Sequence, residues 1–304
     1  MNHRPLTPDP NAPSLNLQDP DTAIQVFQKA AAANHKDPRR KGNSIFLPQQ
    51  GRLTLTGDIH DNPRNYRAII QLAKLATNPQ HYLILHELIH GPNLINHCDM
   101  SIRILLKAAA LKLQYPNQVL FIQANHELAQ YNNQGILKNS INVIQAFDAG
   151  IDYIFHDQAQ HVRQAMREFI ISLPLAIRCA NGILISHSLP SDRNIQNDFD
   201  TTILDRDATP QDYANGGAAH QLVWGRKQTQ PTADLLAKKW NAHLFVMGHQ
   251  KAEMGYQTQG SNMLILNSDH SHGVALPIDL SKNYTLQSLI NHIKPLAAIQ
   301  AHTQ

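Results

Sequence analysis

The chain has 304 residues, 42% of them hydrophobic, enough to build one large domain or two modest ones. A formal net charge of +3 is too small to argue for a nucleic-acid partner, and only two cysteines, Cys98 and Cys179, leave no disulfide framework or thiolate metal cluster to expect. Eighteen histidines favour a metal site, because imidazole binds metals and moves protons near neutral pH.

The opening "MNHRPLTPDPNAPSLNLQDP" carries five prolines and no apolar core, so it reads as an irregular lead-in and not as a secretory signal. No apolar run is long enough to span a bilayer, and a reduced, cytoplasmic protein is the expectation. Residues 1–45 are expected to form an arm. A short helix can form over "DTAIQVFQKAAAAN", and the basic "HKDPRRKG" reads as a solvated link. Residues 46–304 are expected to form a single domain.

From residue 52 short β-rich runs alternate with helical ones. "RLTLTGD" reads as a strand, "RNYRAIIQLAKLAT" as a helix and "HYLIL" as a short buried strand. "SIRILLKAAALKL" spaces its apolar residues for a helix capped by Ser101, and "QVLFIQAN" is the next strand. This order implies a layered α/β core. "GILISHS", "HLFVMGH" and "NMLILNSD" are three more strands, each ending in polar residues. Sites in such sheets form at the loops after the strand ends. The final "YTLQSLINHIKPLAAIQ" reads as an amphipathic helix broken near Pro295.

Within "LILHELIHGP", His86, Glu87 and His90 have the H-E-x-x-H spacing of a zinc peptidase, in which two histidines on one helix face hold the metal. The surroundings oppose that reading. The preceding run is strand-like, Gly91 and Pro92 follow at once, and the extended motif fails at Asn93 and Asn96. A larger constellation competes with it: Asp58 and His60 in "TGDIHD", Glu87, Asn125 and His126 in "QANHE", His187 in "ISHS" and His249 in "VMGHQ". All follow apolar β-like runs, so one sheet edge can gather them. Carboxylate, imidazole and amide donors without thiolate suit zinc, iron or manganese. A carboxylate shared by two ions makes a site suited to phosphoryl chemistry.

On these residues the chain resembles the calcineurin-like metallophosphoesterases, and within them the serine/threonine protein phosphatase branch. That family's signature runs GDxHG, GDxxDRG and GNHE, followed by two separated histidines. "GDIHD" is similar to the first block, with Asp61 where glycine is usual. "SIRILLKAAALKLQYPNQVLFIQANHE" resembles the helix, turn and strand leading into the third. "LPLAIRCANGILISHSLPSD", "LVWGR" and "FVMGHQKAEMGY" resemble the later blocks, so the likeness runs from about residue 52 to about residue 280. It implies an α/β four-layer αββα sandwich with the site at the strand C-terminal ends. It also implies two divalent metal ions (Mn, Fe or Zn), the first held by Asp58 and His60 and the second by Asn125, His187 and His249, with Glu87 bridging. His126 would be the general acid, and a hydroxide between the ions would attack the phosphorus of a phosphorylated protein or small molecule.

The middle block departs from the family. In "HELIHGP" His86 replaces glycine, Glu87 the bridging aspartate, His90 the second aspartate and Gly91 the arginine. His90 cannot supply the anion that supports the acid, and glycine cannot clamp a phosphate. Gln123 and Ala124 also stand where an arginine usually precedes the third block; Arg226 is the candidate replacement clamp, ahead of Arg193. His86 is either a space filler or a further ligand. "HSHG", with His270 and His272, reads as an ordinary turn. The expectation is a metal-dependent phosphoesterase using His126, His90 and Arg226. Its rival is a catalytically impaired relative that binds metal for a regulatory purpose, and the third reading is the peptidase.

Overall fold

Alternation at a period of two decides the layering. In the strand His81–His86, Leu83 and Leu85 face one way and Ile84 the other, and all three are buried, so both faces of its sheet are covered. The structure, a computed structural model, describes residues 15–138 and 140–301, and of the lead-in expected over residues 1–20 the first fourteen lie outside the described residues.

Helix α1 (Pro20–His35) starts at Asp19, whose carboxylate accepts from the Thr22 N–H, with Pro20 in the first turn. Strands β1 (Arg40–Lys41), β2 (Ser44–Leu47) and β3 (Arg52–Asp58) follow. Then come α2 (Pro63–Ala73), β4 (His81–His86), α3 (Ile102–Gln114), β5 (Val119–Ile122) and α4 (Asn125–Asn132). A two-stranded hairpin, β6 (Leu137–Lys138) and β7 (Ile141–Asn142), leads into α5 (Val143–Phe155) and α6 (Ala159–Ile171). The remaining strands are β8 (Ala176–Cys179), β9 (Ile183–Ser186), β10 (Leu244–Met247), β11 (Tyr256–Gln259), β12 (Met263–Leu266), β13 (Val274–Asp279) and β14 (Lys294–Pro295).

One sheet has the order β1-β2-β8-β9-β10-β12-β11 and the other β14-β13-β3-β4-β5. Leu53, Leu55, Ile84, Leu120 and Ile122 from the second sheet meet Ile183, Ile185, Val246 and Leu264 from the first. The outer face of the second sheet, with Leu83, Leu85 and Phe121, is covered by α1, α2, α3, α5 and α6. The outer face of the first, with Leu184, Phe245 and Ile265, is covered by the helices Ala218–Trp224 and Gln230–Trp240. The result is helix, sheet, sheet, helix, as the resemblance implies. No helix of the described residues is long and apolar enough to cross a membrane.

Several local expectations change. The arm helix is longer than expected and packs into the core: Ala23, Val26, Phe27 and Ala30 form one buried stripe, and Phe27 meets Phe169 at 5.5 Å. The basic stretch is partly built in, because Arg39 pairs with Asp37 at 2.7 Å and Arg40 donates to the Ser172 carbonyl. Ser101 makes no side-chain cap; its hydroxyl accepts from the His90 N–H at 3.1 Å instead. The C-terminal helix is two short ones, Leu286–Ile290 and Leu296–Ala301, because β14 pairs with β13 between them.

Lys112 on α3 is fully buried, and its ammonium donates to the carbonyls of Pro116 and Val119. Burial pulls its pKa down to about 8, with Asp37 opposing and Arg39 reinforcing. The folded state therefore loses this proton near pH 8 and the unfolded state near the ordinary lysine value, so the unfolded state binds more protons between them. Stability rises with pH in that window, by up to about 1.4 kcal/mol per pH unit. Urea unfolding between pH 8 and 10 is expected to show this slope, and Lys112→Met to flatten it.

Candidate metal centre

The two sheets converge where β3 ends. Asp58 bridges to Asn267 after β12, and an alanine methyl at Gly57 would lie 2.0 Å from the Leu266 carbonyl oxygen. Only glycine permits this approach. Asp58 emerges there and His60 follows. Beyond β4 the residues Glu87 (φ 37°) and His90 (φ 60°) are left-handed, so "HELIHG" is a loop and its histidines share no helix face. That removes the geometry a zinc peptidase needs. The Glu87 carbonyl accepts from the N–H groups of Ile59 and His60, each at 2.9 Å. From the other side the Glu127 carboxylate accepts from the Leu88 N–H at 2.7 Å. Asn125 and His126 open α4, His187 follows β9, and His249 follows β10.

Glu87 is buried and its two oxygens face different neighbours. Oε2 lies 3.2 Å from His60 Nε2, beside Asp58. Oε1 lies 3.6 Å from His187 Nε2. That nitrogen is 2.6 Å from Asn125 Oδ1 and 3.1 Å from His249 Nδ1, and Asn125 Oδ1 is 2.9 Å from His249 Nδ1. Donors around a tetrahedral ion at about 2.1 Å lie about 3.4 Å apart, so these spacings, 2.6 to 3.6 Å, run from hydrogen-bond length up to that of a ligand cage. One amide oxygen, one carboxylate oxygen and two imidazole nitrogens converge with few hydrogens to share, an arrangement a cation resolves. His60, Glu87 and His126 form one group with metal-ligand spacing, and Asp58, His86 and His187 another. These residues fit divalent metal ions, though the spacing groups divide them otherwise than the resemblance does, which places Asp58 with His60 and leaves His86 and His126 outside the ligand set.

Burial sets the protonation of the centre. It raises Asp58 well above the usual carboxylate range, with the Glu87 charge adding to it, and pushes Glu87 up to about 7. Burial likewise lowers His249 to about 3, and His187 and His126 well below the ordinary histidine value. Without a cation the centre is a cluster of neutral rings and reluctant carboxylates. A cation reverses that preference for the carboxylates.

On the catalytic side, His126 Nδ1 lies 2.8 Å from His90 Nδ1, and Glu87 Oε1 accepts from the His126 N–H at 3.2 Å. His90 thus contacts His126 and stands outside both ligand groups. Arg226 is exposed, with Nη1 donating to the His249 carbonyl at 3.1 Å, whereas Arg193 lies exposed on the helix Asp192–Gln196. His270 sits in a turn and contacts the Ala252 carbonyl. His86, expected as either a space filler or a further ligand, contacts His187 at 2.9 Å. Two participants escaped the sequence reading: Glu127 props the Glu87 loop, and Lys138 on the β6–β7 hairpin bears on the carboxylates of Glu87, Asp58, Asp269 and Asp99. Although Lys138 as a residue is exposed, desolvation of its ammonium lowers its pKa against the pull of those four anions. No motif marks it.

Comparison with known proteins agrees with this architecture. The calcineurin-like phosphoesterase family matches residues 51–273. A Saccharomyces cerevisiae protein serine/threonine phosphatase has a similar structure at 15% identity and a TM-score of 0.63, with 91% of this chain and 93% of that one covered. A cold-active protein-tyrosine phosphatase of a psychrophilic Shewanella is similar at 12% identity and a TM-score of 0.56, covering 87% and 84%. At these identities the likeness shows the fold. No curated protein sequence matches the chain.

Proposed function

We propose that this chain, which belongs to the calcineurin-like phosphoesterase family, hydrolyses a phosphate ester at a two-ion centre held by Asp58, His60, Glu87, Asn125, His187 and His249. The observation that carries the reading is Glu87, whose two oxygens face two different donor groups. Bound divalent ions would activate a water and bear the charge that develops on the phosphoryl group. The protein's own share is positional. The Glu87 carboxylate holds the groups of the two sheets together, and the Asp58 carboxylate is fixed by the His249 N–H at 2.8 and 3.0 Å. Arg226 and Lys138 supply the cations at the rim that the arginines missing from the middle block and from before the third block would supply elsewhere in the family. His126 stands beside the first group as the proton-transfer residue.

A charge-assisted contact to phosphate contributes about 1.5–3 kcal/mol. Lys138→Met is therefore expected to raise KM for an aryl phosphate about tenfold, with kcat changed less. One observation favours a second reading, a metal-binding relative without turnover: the partner of His126 is a buried neutral imidazole and not a carboxylate. Metal analysis together with turnover of an aryl phosphate separates the two. Two ions per chain with manganese-stimulated turnover supports the enzyme. Two ions with no turnover on a panel of phosphoproteins, nucleotides and sugar phosphates supports the binding protein.

A further inference from the structure

His86 and His90 stand on either side of Glu87, both 1% exposed, and each makes its short polar contact with another histidine of the centre. Hydrogen positions follow from the far end of each chain of contacts. His86 Nδ1 faces the Thr56 carbonyl oxygen at 3.5 Å, which can only accept, so a neutral His86 carries its proton on Nδ1. Its Nε2 is then an acceptor, and His187 Nδ1 at 2.9 Å donates to it once a cation takes the His187 Nε2 lone pair, which otherwise faces Asn125 Oδ1 at 2.6 Å. The second chain begins on α6. Arg163 donates to the Asp148 carboxylate at 3.2 Å, and that carboxylate accepts from the Gln130 amide nitrogen at 3.0 Å. The amide orientation is thereby fixed, with Gln130 Oε1 turned to His90 Nε2 at 3.0 Å. His90 therefore carries its proton on Nε2, its Nδ1 accepts, and His126 Nδ1 donates across 2.8 Å.

We propose that His86 and His90 are tautomer-setting residues, each accepting the Nδ1–H of a neighbouring ring, His187 and His126 respectively, and so leaving Nε2 of both rings as the lone-pair atom. For His187 that atom is the one placed in the four-donor cage, 2.6 Å from Asn125 Oδ1 and 3.6 Å from Glu87 Oε1. A ligating histidine ordinarily donates its other N–H to a carboxylate or carbonyl. Here a buried imidazole takes that place, which adds no charge to a centre already holding Asp58 and Glu87. The residues that distort the family's middle block thereby acquire a common role. The rival for His86 is direct ligation, since Asp58, His86 and His187 also group within 4.8 Å.

The consequence for metal affinity rests on the phosphoesterase reading, but the proton positions do not, and they are read first. Long-range proton–nitrogen NMR correlations at pH 8 are expected to show His126 as the Nδ1–H tautomer in the metal-free wild-type protein, and His187 as Nδ1–H once zinc is bound. They should show His86 as Nδ1–H and His90 as Nε2–H. An Nε2–H tautomer at His126 without metal, or at His187 with zinc bound, overturns the proposal whatever the protein hydrolyses. Manganese titration gives the second readout. His86→Leu is expected to weaken binding of one ion about 10–100-fold, and His86→Gln, whose amide oxygen can still accept, to restore most of it. Wild-type affinity in His86→Leu, or a third ion in the wild type that His86→Leu removes, would sink the tautomer role. In metal-free His90→Phe the His126 ring is expected to lose its single tautomer while His187 keeps its own; an unchanged His126 spectrum counts against the proposal.

Discussion

Glu87→Gln is expected to remove one of two bound ions and to lower kcat on an aryl phosphate by about a thousandfold, the scale of losing a main electrostatic support of the transition state. Glutamine keeps the length and shape of the side chain but replaces one lone-pair oxygen by a nitrogen that can only donate. Both glutamate oxygens are committed, Oε2 towards His60 and Oε1 towards His187 and the His126 N–H, so either amide orientation disables one group. Aspartate, the residue the family carries, is not expected to rescue activity here. It is shorter by roughly 1.5 Å, one carbon–carbon bond, and the backbone cannot follow inward, because the residue 87 carbonyl is held by the N–H groups of Ile59 and His60. Metal content by elemental analysis and kcat for wild type, Glu87→Gln and Glu87→Asp check this. Two ions in Glu87→Gln with kcat within tenfold of wild type would show that the carboxylate is no bridge.

The strands that carry the centre were the legible part of the sequence. "RLTLTGD", "HYLIL", "QVLFIQAN", "GILISHS", "HLFVMGH" and "NMLILNSD" are apolar because both faces of each sheet are covered, and each turns polar where its strand leaves the core. Helix α1 was underestimated, since its stripe of Ala23, Val26, Phe27 and Ala30 has meaning only against α6, far along the chain. What single-sequence reading cannot supply is the identity of distant partners. His86 acquires its role from His187, 101 residues away, and His90 from His126 and Gln130, and nothing local distinguishes such rings from space fillers. Ser101 was read as a cap because its neighbours are helical, yet its hydroxyl serves the His90 backbone. Lys138 lies on a hairpin with no motif, and only the fold brings its charge to bear on the carboxylates.

Asp58→Asn is expected to act in opposite directions on activity and on the stability of the metal-free protein. In the wild type, Asp58 and Glu87 are buried together; burial pushes the protonation equilibria of both upwards, and the Glu87 charge adds to the rise at Asp58. Folding without metal therefore confines two carboxylates in a dry space, at a cost that a neutral amide relieves. The amide oxygen can still accept from the His249 N–H, now held at 2.8–3.0 Å, so the junction of the two sheets keeps a hydrogen bond there. Metal-free Asp58→Asn is expected to melt a few degrees above metal-free wild type, the shift that about 1 kcal/mol produces in a chain of this size. Manganese should reverse the order. Ions that bind the folded state alone stabilise it by mass action, about 2.7 kcal/mol at a hundredfold excess over Kd, and the variant lacks a ligand of the first group. Turnover should fall at least as far as in Glu87→Gln, because the neutral amide weakens one group and leaves Glu87 as the only anion of the centre. Thermal melts with and without manganese test the argument. A variant less stable than wild type without metal, yet equally stabilised by it, would make Asp58 a structural residue of the sheet junction and not a metal ligand.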